Sequence, residues 1–303
     1  MAASLRLVRD ETAPATLAGV NEALSGTQRE VDSLRQQVTL LRSRDEMVHF
    51  YLHRIDEELR LAARLQQDFL PKQMPVLGQV RFHALFRPAG YVSGDLYDVF
   101  RLDEKHVGFY LADAIGHGVP SALLSMFLRT SLVSKEIYPD GYRILPPGEA
   151  LAKLNAALLA QNFSQTTFAT AVYGFVDVTT CQVSLSSAGH PAPILIGRGK
   201  DAIREVACCG GALLGVFADE TYPTVTFTLN PHERLLVHSD GIDSVFDGDN
   251  LPVGERWQAE LAQMQSLSAD AMLGEFSARL DRQSGSLQPK DDLTIIAIES
   301  APQ

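Results

Sequence analysis

Cysteine is scarce in this chain. Cys181, Cys208 and Cys209 are the whole complement, an odd number with two adjacent. They cannot form a disulfide framework, and a reducing, cytoplasmic setting is the expectation. None has an arginine six positions on, which excludes the phosphate loop of cysteine phosphatases. They read as small buried apolar residues. Long apolar runs are missing too. Nothing approaches the ~18 residues of a membrane span, and the opening MAASLRLVRDETAP has no signal-peptide core. The glycines, including the pair Gly210-Gly211, never form G-x-G-x-x-G, so nucleotide binding by that route has no support. Positive charge is short: 26 Lys/Arg face 37 Asp/Glu, for a net charge of -11. Residues 1–75 are nearly balanced, so the excess falls on residues 76–303. A domain that acidic is a poor nucleic-acid binder and a reasonable cation binder.

The most regular pattern present is near the start. From Leu24 the positions Leu24, Thr27, Val31, Leu34, Val38, Leu41, Asp45, Val48, Leu52, Ile55, Leu59, Ala62, Gln66 and Phe69 follow a 3-4-3-4 spacing. A sustained 3.5-residue period marks a coiled coil, because a straight helix would drift off such a seam. Thr27, Asp45 and Gln66 are its polar positions. The alternative is one amphipathic helix folded back on the domain. Pro71 and Pro75 must end the helix. The expected organisation is a flexible N-terminus over 1–20, a coiled-coil linker over 21–75 and a domain over 76–300.

Within that domain 80–86, 96–102 and 106–112 read as strands of one sheet joined by short turns, the last pair as a hairpin, so the sheet is antiparallel here. Helices are expected over 119–136, with Pro120 in the first turn, over 148–161 and near 268–283. Further strands are expected at 167–178, 181–188, 224–229, 233–239 and 293–298. Hairpins of strands with paired helices argue for an α+β layered fold.

Carboxylates collect where these strands end. Asp95 and Asp113 flank the hairpin 96–112 at the same end, Asp240 follows 233–239 with Gly241 behind it, and Asp291 and Asp292 precede the last strand. Unpaired buried carboxylates are costly, so a cluster of them implies partner charge. All-oxygen sets suit Mg2+ or Mn2+, and the His/Cys spacing of zinc sites is absent. Asp98 and Asp103 read more simply as solvent-facing or turn residues.

In order, SGDLYD, LADAIGHG, SSAGHP, HSDGI and KDDLT, with the lead-in ARLQQDFLPKQMP, resemble the SpoIIE/RsbU-type branch of the bacterial metal-dependent (PPM, type 2C) serine/threonine phosphatases. The resemblance spans roughly residues 60–300. It implies an α-β-β-α sandwich of two antiparallel sheets flanked by helices, with two Mn2+ or Mg2+ ions at one edge. By motif, Asp95, Asp113, the backbone carbonyl of Ala114, Asp240 and Asp291 would hold those ions, with Asp98, His117 and Asp292 as candidates just outside them. It further implies a phosphorylated STAS-domain anti-sigma-factor antagonist as substrate and a two-metal-activated water as nucleophile, while the coil itself predicts a parallel homodimer. The competing reading is a module that sequesters such a partner without turnover. Ser93, Ala114, Ile115, Asp243, Ser244 and Pro231-His232-Glu233 depart from the usual family residues, and none of these removes a ligand. His117 reads as a turn residue between glycines or as an acid or base near the phosphate. His190 is expected to fix a loop.

Overall fold

The structure is a computed structural model, and it describes residues 17–163, 167–199, 203–207, 210–246, 253–282 and 291–300. Cys208, Cys209 and most of the expected flexible N-terminus lie outside them. The chain divides into two compact units, residues 1–58 and 59–303.

Helix α1 (Leu17–Phe69) is a single run of 53 residues that stops just before Pro71. Seam residues Leu24, Leu34, Val38, Leu41, Val48, Leu52 and Ile55 are each between 47% and 62% exposed. Gln66 differs from the expectation of a polar seam position: it is 2% exposed, its side chain turned into the second unit. Among the residues of α1 whose burial is described, it is the one that is buried.

The second unit alternates strands and helices: β1 (Val80–Arg87), β2 (Asp95–Arg101), β3 (His106–Ala114), α2 (Val119–Ser131), β4 (Lys135–Tyr138), β5 (Gly141–Ile144), α3 (Pro147–Leu159), β6 (Ala169–Asp177), β7 (Gln182–Ala188), β8 (Ile194–Ile196), β9 (Ile203–Glu205), β10 (Val225–Thr228), β11 (Arg234–His238), a 3-10 helix (Asp240–Phe246), α4 (Val253–Gln263), α5 (Ala269–Arg282) and β12 (Leu293–Ser300). One sheet has the order β1-β12-β11-β8-β9 and the other β10-β7-β6-β3-β2. Every pairing within them is antiparallel.

Alternation along the strands builds three apolar layers, since neighbouring side chains leave opposite faces. Phe109, Leu111, Val237, Ile296 and Ile298 point between the sheets. Their neighbours Leu236, Ile295 and Ala297 point outward against Trp257, Leu261, Met272 and Phe276 of α4 and α5. On the other side Tyr110 and Ala112 meet Leu124 and Leu128 of α2 and Leu151 and Leu154 of α3. This is the α-β-β-α sandwich expected from the motifs.

Three details differ from the sequence reading. β1 does not join the 95–114 hairpin; it pairs with β12 in the other sheet. The helix expected to reach residue 136 stops at Ser131, with Leu132 extended. The chain then forms the β4–β5 hairpin. Lys135 fixes that hairpin by donating from Nζ to the Leu102 carbonyl at 2.7 Å, and Glu136 pairs with Lys153 at 3.1 Å. Helix α4 and the short strands β8 and β9 went unexpected.

Candidate metal centre and active site

Asp95 is the first residue of β2 and Asp113 the last but one of β3, so both stand inside the strands they were expected to flank. Antiparallel register sets them directly opposite each other, and Asp113 is in turn opposite Thr170 of β6. Cross-strand partners share a face of the sheet. Asp95 is 1% exposed. Its Oδ2 accepts a 2.6 Å hydrogen bond from Thr294 Oγ1 of β12, so the carboxylate bridges the two sheets. Burial first and the Asp113 charge second push its pKa well up, with the hydroxyls of Thr294 and Ser239 opposing. Ser239 is itself held by Thr294, whose N–H donates to Ser239 Oγ at 3.0 Å.

Asp113 is half-buried, and its carboxyl is raised to about 7 by burial and then by the charges of Asp240, Asp291 and Asp292. Asp291 is raised chiefly by burial, with the Asp292 N–H opposing and Asp240 and Asp292 adding to the rise. Asp240 opens the 3-10 helix. Its neighbour Gly241 is required for closeness rather than for the turn: a Cβ there would lie 2.1 Å from the Asp292 carbonyl oxygen. Gly94 makes a second cradle. A Cβ on it would stand 2.9 Å from the Ala114 carbonyl oxygen and 3.4 Å from Asp113 Oδ1. Only the missing Cβ leaves room beside the Ala114 oxygen and the Asp113 carboxylate.

These residues fit divalent cations. The donors are all oxygen, as hard cations prefer. The charges acting on Asp113 are all carboxylates, and a bound cation relieves that repulsion. Among the described residues no three His, Cys, Asp or Glu side chains already close around a single ion point.

The three candidates just outside the ions separate. Asp292 serves the loop before β2: its Oδ1 accepts from Ala89 N and its Oδ2 from Gly94 N, both at 2.7 Å. His117 is exposed between Gly116 at φ 90 and Gly118 at φ 77. With Asp113, Asp291, Asp292 and Tyr91 it lines a cleft of about 530 Å³. Asp98 is a correction. Three residues along β2 from Asp95, it leaves the opposite face of the sheet, where it is buried and pairs with Arg129 of α2. Nor is it solvent-facing, as its simpler reading had it. Asp103 is a turn residue, as expected, and accepts from the N–H groups of Lys105 and His106 at 2.7 Å each.

His190 fixes a loop. Its Nδ1 lies 2.7 Å from Thr170 Oγ1, and its N–H donates to Ser187 Oγ at 3.3 Å. Burial first and then the neighbouring His238 lower its pKa to about 3, so it is neutral. Ser239 and Thr294 escaped the sequence reading. Their signal was adjacency, since each lies within three residues of an expected ligand. Cys181 lies 3.7 Å from Ser300 Oγ, at the far end of β12 from Asp291 and Asp292.

Fold and carboxylate edge together define a two-sheet sandwich with an acidic centre at its rim. The family model for stage II sporulation protein E (SpoIIE) matches residues 103–300, and the chain belongs to that family. It is 27% identical over 188 residues to phosphoserine phosphatase RsbP of Bacillus subtilis, covering 61% of this chain and 45% of that protein. It is 27% identical over 271 residues to protein IcfG of Synechocystis, covering 80% of this chain and 41% of that one. The chain thus spans less than half the length of either curated relative. Among solved structures, the SiaA-PP2C domain of Pseudomonas aeruginosa shares the fold, with a TM-score of 0.68 at 21% identity over 82% of this chain and 98% of that one.

Proposed function

We propose that the protein is a metal-dependent phosphoserine/phosphothreonine protein phosphatase acting on a partner-switching regulator, a phosphorylated STAS-domain protein. One observation carries this reading: Asp113 stands directly opposite Asp95 and lines an open cleft with Asp291 and Asp292, where burial and neighbouring carboxylates raise its carboxyl. Strongly perturbed groups beside a cleft mark functional sites. The naming of RsbP as a phosphoserine phosphatase supports the substrate class.

In this reading Asp95, Asp113, the Ala114 carbonyl, Asp240 and Asp291 hold two Mn2+ or Mg2+ ions. When bound, such ions supply a water of lowered pKa and positive charge against the phosphoryl oxygens. The chain's own part is to position. Thr294 and Ser239 orient the Asp95 carboxylate from the second sheet. Asp292 holds both ends of the 89–94 loop that walls the cleft. His117, carried by two glycines, stands at the cleft wall where a phosphoryl group would enter. No side chain need act as nucleophile, in keeping with Cys181 at the far end of β12. The exposed apolar seam of α1 supports a parallel coiled-coil homodimer whose packing biases the catalytic unit.

The test is phosphate release from a phosphorylated STAS protein with Mn2+ and with chelator. Mn2+-dependent release is expected. Tight binding of the phosphorylated partner with no release would favour the sequestering module instead.

A further inference from the structure

The last turns of α1 reach the acidic centre through one side chain. Gln66 Nε2 donates to the Ser93 carbonyl at 2.7 Å, and Ser93 N–H donates to Gln66 Oε1 at 2.9 Å. An amide that both donates to and accepts from one residue's backbone copies the pairing of a neighbouring strand and fixes position and orientation together. Ser93 is fully buried, so neither of its backbone groups has water to fall back on. Its own Oγ accepts from Asp95 N–H at 3.1 Å. Next to it Gly94 donates to Asp292 and its carbonyl accepts from Ala114 N–H at 3.2 Å. One turn and a half earlier on α1, the Arg60 guanidinium lies 5.9 Å over the Tyr91 ring.

We infer that Gln66 is a positioning residue for the metal centre: its amide sets the Ser93-Gly94 backbone, and through it the Asp95 carboxylate and the opening beside the Ala114 carbonyl. An ordinary helix dock would bury apolar side chains, yet among the described residues of α1 the buried one is an amide that pairs with both backbone groups of Ser93. Replacing it with an apolar residue keeps the bulk and orphans both groups. The inference rests on the phosphatase reading, because it assigns Asp95 and Ala114 to cations.

The test uses the full chain, unsubstituted and as Gln66→Leu, Gln66→Glu and Leu261→Ala. Leu261 is buried under the far sheet, and its variant controls for general loss of stability. Mn2+ alone is titrated by calorimetry, amide exchange is followed over residues 91–95 without metal, and turnover of p-nitrophenyl phosphate is measured against Mn2+. For Gln66→Leu the Mn2+ midpoint should rise roughly ten- to hundredfold, as when a group that orients a metal ligand is lost. Exchange at Ser93 should accelerate in the same protein. Gln66→Glu keeps the acceptor and loses the donor, and should fall between. Leu261→Ala should melt earlier with an unchanged midpoint. An unchanged midpoint in Gln66→Leu, or a shift no larger than that of Leu261→Ala, overturns the inference alone. Failure of the unsubstituted protein to bind Mn2+ or turn over overturns the phosphatase reading, and the inference with it.

Discussion

Asp113 carries the clearest consequence for single groups. Its carboxyl is raised to about 7 from an ordinary 3.8, so the folded chain holds that proton more tightly than the unfolded one. The resulting stability is complete below pH 3.8 and is lost as pH rises through about 7. In chelator, the melting temperature of Asp113→Asn relative to the unsubstituted protein should therefore climb across this window and level off above it; a flat difference would refute the assignment. With Mn2+ present, Asp95→Asn, Asp113→Asn, Asp240→Asn and Asp291→Asn should each lower the rate on the order of a hundredfold or more. Asp103→Asn, confined to its turn, should leave the rate alone. The aspartates were legible because strand ends announce themselves by periodicity and hairpin spacing sets register. Gln66 was not. In a 3.5-residue pattern a glutamine reads as a weak seam position, and nothing local reveals that Ser93, 27 residues on, takes both ends of its amide.

For the elements, the anchoring of α2 is the feature to test. Burial raises the Asp98 carboxyl against the pull of Arg129. Removing the guanidinium leaves a buried charge without a partner. Arg129→Ala should destabilise the second unit by about 2 kcal/mol, less than the ~3–5 of a fully buried pair because the arginine side chain is 35% exposed. Denaturant unfolding measures this, and Asp98→Asn in the same background should recover part of the loss. An Mn2+ midpoint that moved with it would put Asp98 back beside the ions. The β4–β5 hairpin escaped notice because the apolar residues after Ser131 continued a helical stripe. Pro139-Asp140-Gly141, with Gly141 at φ 152, is a turn signal that arbitrates against a helix. β1 shows the opposite limit. Its residues read correctly as a strand, but its partner, β12, is some 200 residues away, and pairing over that separation depends on which faces the two sheets bury.

At the scale of the whole molecule, the open question is how many chains act together. Seven apolar seam residues of α1, Leu24 to Ile55, stand exposed at a spacing that suits a second helix. Light scattering should give a dimer for the full chain and a monomer for one beginning at residue 59, which retains Gln66. Asp45→Leu should tighten the dimer and change the phosphatase rate without touching an aspartate of the centre. A rate indifferent to both Asp45→Leu and Leu52→Asp would leave the exposed coil of α1, though not its Gln66 end, a passive appendage. Layering was legible here, since alternate residues of each strand declare two faces. The assignment of strands to sheets was not.

The bond from Thr294 to Asp95 also bears on time. β12 lies between β1 and β11 and brings with it Asp291, Asp292 and Thr294. A ribosome making this chain produces Asp95, Asp113 and Asp240 well before that strand. Until it leaves the exit tunnel, its sheet has a vacant lane between β1 and β11 and the acidic rim lacks one side. On the phosphatase reading the nascent polypeptide would turn nothing over until then, and translation itself would set the earliest moment at which the acidic rim can close.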